Sequence, residues 1–201
     1  MENVVVSIFD IESEAFQAFS ELKQFVQTEN TKLAQASIVK AENGVVNVKD
    51  SFDLMDSLGD DYFEGGLIGS LIGILGGPLG VLFGFATGGA IGASVGSDKE
   101  LINSALITTV SNKLTNGEVA IIALVQENDE SVLNAIFEKY QVDIARWDVA
   151  TVAAEIESAL KIQEDLEHQA KARLIADKKE ARREKFDKLK ASIKEKFSKK
   201  N

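Results

Sequence analysis

Gly92-Ala93-Ser94-Val95-Gly96 fits the G-x-S-x-G pattern, in which a serine on a tight turn attacks a carbonyl carbon. Such a serine needs a histidine to take its proton and a carboxylate to orient that histidine. The chain has one histidine, His168, in a charged helix-favouring stretch, and glycines at every fourth residue generate the pentapeptide by periodicity alone. Hydrolase chemistry therefore ranks last. Asp50, Asp53, Asp56, Asp60, Asp61 and Glu64 offer oxygens for a hard cation, but they lack the EF-hand spacing around a central glycine, and no histidine or cysteine accompanies them. A solvated acidic linker is the expectation. There is no cysteine to supply a thiolate, no G-x-G-x-x-G, and no glycine-rich loop ending in Lys-Ser/Thr to cradle a phosphate. Trp147 beside Arg146 reads as packing at the end of a strand. No catalytic residue, cofactor, metal or small-molecule substrate is expected.

The pattern that does stand out belongs to glycine. Twelve of the fifteen glycines lie between residues 65 and 96, and no charged residue occurs from Gly65 to Ser97. Gly65, Gly69, Gly73 and Gly77 form one series at intervals of four, and Gly76, Gly80, Gly84, Gly88, Gly92 and Gly96 form another. On a helix each series makes a groove along one face, into which a second helix can pack at backbone distance. Small residues at this spacing are how helices associate in lipid, whereas in water each glycine costs an exposed helix roughly 1 kcal/mol relative to alanine. Gly76-Gly77-Pro78 breaks the run into legs of roughly 18 and 28 Å at 1.5 Å per residue, against a bilayer core of about 30 Å. The expectation is a glycine-zipper helical hairpin, re-entrant in lipid or buried between protomers, with Gly69, Gly73, Gly76, Gly80, Gly84, Gly88, Gly92 and Gly96 as its packing positions.

The flanks must carry that hairpin. Residues 3 to 9 are a β-branched run, and Phe16, Phe19, Leu22 and Val26 then recur at helical spacing, with Asp10 or Ser13 placed to cap the first turn. Residues 33 to 41 and 45 to 49 flank Asn43-Gly44, a hairpin turn signal. Beyond the glycines, Asp98 can cap a helix that Asn116-Gly117 ends, and residues 118 to 126 (EVAIIALVQ) read as a strand covered on both faces. The order βαββαβ is that of a ferredoxin-like α+β fold. A helix over residues 129 to 140 and a strand around residues 142 to 147 follow, and from Val149 to Phe197 neither glycine nor proline interrupts a helix-favouring composition. The domains expected are a split α+β domain over 1–64 and 98–148, the hairpin at 65–97, and a long helix over 149–201. Because strands lie before and after the insert, one sheet can form only if both ends of the insert emerge on the same side.

Charge divides the chain. Residues 1 to 160 hold 8 Lys/Arg against 24 Asp/Glu, and residues 161 to 201 hold 14 against 8. The acidic body argues against a nucleic-acid partner. Between Lys171 and Lys200, Phe186, Leu189, Ile193 and Phe197 share a helix face among lysines such as Lys190 and Lys194, the make-up of a helix that lies on an anionic membrane surface. With no basic region ahead of an apolar run at Met1, the α+β domain is expected on the cytoplasmic side of a bilayer. The leading expectation is a non-enzymatic, membrane-associated homo-oligomer. The alternative is a soluble, cytoplasmic homo-oligomer with the hairpin between protomers.

VVVSIFD, IVKAENGVVNVKD, the block GGLIGSLIGILGGPLGVLFGFATGGAIGASVG, DKELINSALITTVSNKLTNGEVAIIALVQ and the segment through ARWDV follow one another over residues 3 to 150. In this order they resemble the bacterial and archaeal family of predicted membrane proteins known as domain of unknown function twelve-sixty-nine. The resemblance implies membrane association and carries over no catalytic residue. The acidic stretch at Asp53 to Asp61 and the basic tail depart from the family's pattern.

Overall fold

Residues 119 to 127 (VAIIALVQE) have too few polar side chains for a strand with one wet face, and they lie at the centre of a five-stranded antiparallel sheet. The structure is a computed structural model that describes residues 1–54, 66–77, 80, 105–140 and 142–198, with side chains through Arg183 apart from Ala176 and Ala181. Its strands are β1 (Glu2–Phe9), β2 (Thr31–Glu42), β3 (Val45–Asp53), β4 (Val119–Glu127) and β5 (Ile144–Asp148). Helix α1 (Glu12–Lys23) joins β1 to β2. Helices α2 (Leu67–Gly76) and α3 (Leu106–Lys113) lie between β3 and β4, and α4 (Ser131–Phe137) leads through a 3-10 turn at Glu138–Tyr140 into β5. Helix α5 spans Val149–Ser198.

The strand order is β3-β2-β4-β1-β5. The four strands of the expected βαββαβ series take the order β3-β2-β4-β1, and the strand expected after them, β5, lies beyond β1. Strand β3 lies at an edge, outside β2, while β4 pairs with β2 on one side and β1 on the other, and β5 extends the sheet beyond β1. Burial explains the choice. Val119 to Ala123 are all buried, so β4 needs neighbours on both sides, whereas β3 carries the exposed Asn47, Val48 and Lys49 and tolerates an edge.

Alternation along the strands separates two faces. Val5, Phe9, Leu33, Ala36, Ile38, Val119, Ile121, Ala123 and Val125 join Ala15, Ala18, Phe19 and Leu22 of α1 and Leu133 and Phe137 of α4 in one core. The pairing shifts between Ile38 and Val39, where Asp50 and Val48 are the successive partners across the ladder. The extra residue, Lys49, turns Phe52 toward α1, where its ring centroid lies 5.1 Å from that of Phe19. Val46 is left on the opposite face, against α2. At the hairpin, Asn43 and Gly44 take φ angles of 56° and 77°, the left-handed pair that this turn requires.

Two local expectations need correcting. Neither Asp10 nor Ser13 caps α1: its N-cap is Ile11, whose backbone carbonyl accepts the Glu14 and Ala15 N–H groups. Phe16 and Val26 do not belong to its buried stripe either, being 37% and 79% exposed, because α1 ends at Lys23 and its inner face is set by Ala15, Ala18, Phe19 and Leu22. Asp98 lies outside the described residues.

The opposite face of the sheet receives the start of the glycine segment. Helix α2 lies along β3 and reaches β2, β4 and α3, with Ile68, Leu71, Ile74 and Leu75 each 1% exposed or less. An added Cβ at Gly76 would meet the Val46 carbonyl oxygen at 2.7 Å, so this glycine lets helix and strand touch at backbone distance. At Gly73, on the outer side, an added Cβ would have no atom of the described residues within 4 Å.

The chain divides into Met1–Leu160 and Lys161–Asn201. In the second unit the described side chains from Glu164 onward are exposed, with His168 paired to Glu164 and Lys171 to Glu167 one turn away. Leu174 and Ile175 are 59% and 68% exposed.

Gly76 and Gly73 give opposite expectations in urea unfolding. Gly76→Ala should cost about 1–3 kcal/mol, because backbone must move to admit the methyl group. Gly73→Ala should gain about 0.5–1 kcal/mol from helix propensity alone.

Candidate functional site

Four of the expected packing glycines fall among the described residues. Gly76 faces β3, Gly80 is buried with an added Cβ 1.9 Å from the Leu75 carbonyl oxygen, Gly69 is half-buried, and Gly73 is exposed. Gly84, Gly88, Gly92 and Gly96 lie outside the described residues, as does Ser94 of the G-x-S-x-G match. Phe186, Leu189, Lys190, Ile193, Lys194 and Phe197 fall within the helical backbone of α5. Of the acidic stretch, Asp50 is held below the usual carboxylate range by a hydrogen bond from Lys23, opposed by partial burial. Among the described residues, no group of histidine, cysteine or carboxylate side chains could hold a metal ion.

The chain's return from the glycine segment is fixed by a carboxylate absent from the sequence expectations. Glu155, in the second turn of α5, accepts hydrogen bonds from the Leu106 and Ile107 N–H groups at 3.1 and 3.2 Å. These are unsatisfied donors at the start of α3, whose N-cap residue Ala105 has no side chain to offer them. Burial pushes the Glu155 carboxyl above its usual range, and the two backbone bonds pull the other way. Spacing cannot reveal this cap, because donors and acceptor lie 48 and 49 residues apart.

Arg146 is a second such residue. Its Nε donates to Glu127 at 2.7 Å and its Nη2 to Asn134 at 2.6 Å, while Asn3 donates to Glu127 at 3.1 Å. The Glu127 side chain is 1% exposed, so the guanidinium is what makes its charge tolerable there. This cluster joins β1, β4, β5 and α4 and leaves no group directed at a ligand.

A groove of about 750 Å³ lies over β1 and β5. Val6, Ile8, Ala145 and Trp147 floor it, Thr109, Val110 and Lys113 of α3 form one wall, and Asp10, Glu14 and Asp143 stand at its rim. Beside it, Lys139 and Tyr140 both donate to Glu21, which lowers the Glu21 carboxyl; the Tyr140 phenol is raised by burial and by that same carboxylate.

Residues 63–167 match the family described as protein of unknown function (DUF1269). The chain belongs to that family. The matched region starts just before α2 and runs into α5, so it holds the glycine segment, β4, β5 and the Glu155 cap, while β1 and the β2-β3 hairpin precede it. No curated protein and no solved structure matches the chain.

Removing the cap in Glu155→Ala should cost about 0.5–2 kcal/mol. Because the folded carboxyl is raised, its titration favours the folded state below the unfolded value of 4.5, and that contribution is lost as pH rises through the folded value. The stability of wild type relative to Glu155→Gln should therefore decline between acid and neutral pH, as followed by urea midpoints. Arg146→Ala, which strands the Glu127 charge, should cost about 3–5 kcal/mol, and Arg146→Met with Glu127→Leu should recover most of it in a double-mutant cycle.

Proposed function

We propose that this DUF1269 protein is a non-enzymatic, membrane-associated protein that self-associates through its glycine-rich segment, with the α+β unit as a platform on the cytoplasmic side. In this reading β1, α1, β2, β4, α4 and β5 form a ferredoxin-like core, β3 is an added edge strand, and residues 65–97 are the inserted glycine-zipper hairpin. The observation that carries it is the division of α2 into two faces. Its apolar side is spent on the chain's own sheet, and Gly73 on the other side has room for another backbone. The sequence remains free of charged residues up to Ser97, a composition that suits lipid or a second copy. The basic tail, through Phe186, Leu189, Lys190, Ile193, Lys194 and Phe197, adds attraction to anionic lipid.

A second reading is a soluble homo-oligomer with the glycine segment buried between protomers. It is favoured because Ile68, Leu71, Ile74 and Leu75 are already buried within one chain, which shortens what could enter a bilayer. No helix among the described residues is long and apolar enough to cross one.

Gly73→Leu tests self-association without disturbing the monomer, since the site is open. Wild type should sediment with membranes, require detergent for release and then run above its monomer mass. The variant should keep its circular dichroism and thermal midpoint while shifting to smaller species. A wild-type chain that is monomeric without detergent would rule out both readings, and a monodisperse oligomer without detergent would select the second.

A further inference from the structure

Helix α5 meets the rest of its unit along one narrow face. From Thr151 to Leu160 the residues turned inward are Val152, Glu155, Ile156 and Ala159, at the i, i+3, i+4 and i+7 spacing of a single helix face, and every other residue of that stretch is exposed. Val152, Ile156 and Ala159 are 0%, 7% and 4% exposed, whereas the described side chains from Glu164 onward are exposed. A helix of 50 residues is thus seated through about three turns, with a carboxylate in the middle of the seat.

That carboxylate accepts the Leu106 and Ile107 N–H groups at the start of α3, the first described helix after the glycine segment. Each side of the contact needs the other. Without Glu155 the two N–H groups lose their acceptors, since Ala105 offers no side-chain cap. Without those N–H groups the carboxylate loses the bonds that offset its burial. Leu106 and Ile107 are 0% and 5% exposed, so opening the first turn of α3 exposes apolar surface as well. Lifting α5 from its seat and opening that turn therefore each remove part of the cost of the other, and such a coupling is reciprocal.

We propose that Glu155 is a latch that joins the seating of α5 and the first turn of α3 into one opening unit. An event in the glycine segment that pulls on Leu106 then loosens the long helix, and a pull on the long helix loosens the return of the glycine segment. The latch is independent of what the glycine segment meets, whether lipid or a second copy. Residues 63–167, which match the DUF1269 family, enclose both of its halves.

The chain has no cysteine, so one introduced thiol reports the seat of α5 without background. In the full chain, Ala159→Cys puts that thiol on the seated face, and Ala123→Cys, on the fully buried β4, reports unfolding of the whole unit. The thiol at position 159 should be labelled by a neutral thiol reagent about tenfold faster or more than the one at 123, because α5 lifts without global unfolding. Ile107→Ala, on the α3 side, should speed labelling at 159 about fivefold or more, and Ile156→Ala, on the α5 side, should speed hydrogen exchange of the Leu106 and Ile107 amides to a similar degree. In a Glu155→Ala background both cross-effects should fall below about twofold, which a carboxylate that merely stabilised the fold would not bring about. Glu155→Gln, which keeps one acceptor oxygen, takes its place should Glu155→Ala fail to fold, and should reduce both cross-effects. Equal labelling at 159 and 123, no cross-effect with Glu155 present, or cross-effects undiminished without it would each overturn the latch.

Discussion

Everything else in the α+β unit depends on β4 having a strand on each side. A run as apolar as residues 119 to 125 cannot leave an edge or a face in water without losing most of its burial energy, roughly 25 cal/mol for each Å² exposed. Its partners, β2 and β1, come from the far side of the glycine segment. Because β3 and β4 both run antiparallel to β2, the chain leaves the sheet beside Gln35 at the end of β3 and re-enters it beside Lys40 at the start of β4. Pairing of β4 constrains the inserted segment more tightly than anything within the segment.

The glycines meet that constraint by serving two purposes at different positions. At Gly76 the missing side chain brings α2 onto the Val46 carbonyl, which anchors the start of the insert to the edge strand. At Gly73 the same absence faces outward, and it is this face that gives the segment chemistry for another backbone. The return is held by Glu155, which supplies α3 with the acceptors that its own first turn lacks. Departure and return are thus fastened by a close backbone approach and by a partly buried carboxylate. Arg146 and Glu127 hold the far edge of the sheet by a third means, a buried ion pair that is secure only while both partners are present.

The surface left by this packing is unevenly charged. Carboxylates dominate the unit that contains the sheet, and the exposed pairs on it, such as Lys23 with Asp50 and Lys40 with Glu12, contribute little individually. The opposite sign in residues 161 to 201 sets that part of the helix apart from the body chemically as well as by fold.

Sequence by itself determined the features that depend on near neighbours: the Asn43-Gly44 turn, the long uninterrupted α5, the stop at Asn116-Gly117, the burial of residues 119 to 123 and the family resemblance. Each arises from local dihedral preference or from a composition that few environments accept. Tertiary structure decided what depends on distant residues. It placed β3 at the edge and β5 in the sheet, turned one glycine inward and left another open, and brought Glu155 to a helix start and Arg146 to Glu127. It also gathered Asp10, Glu14 and Asp143 around the floor of a groove. No periodicity encodes these, because the groups that meet are separated by tens of residues and come together only when β4 pairs on both sides.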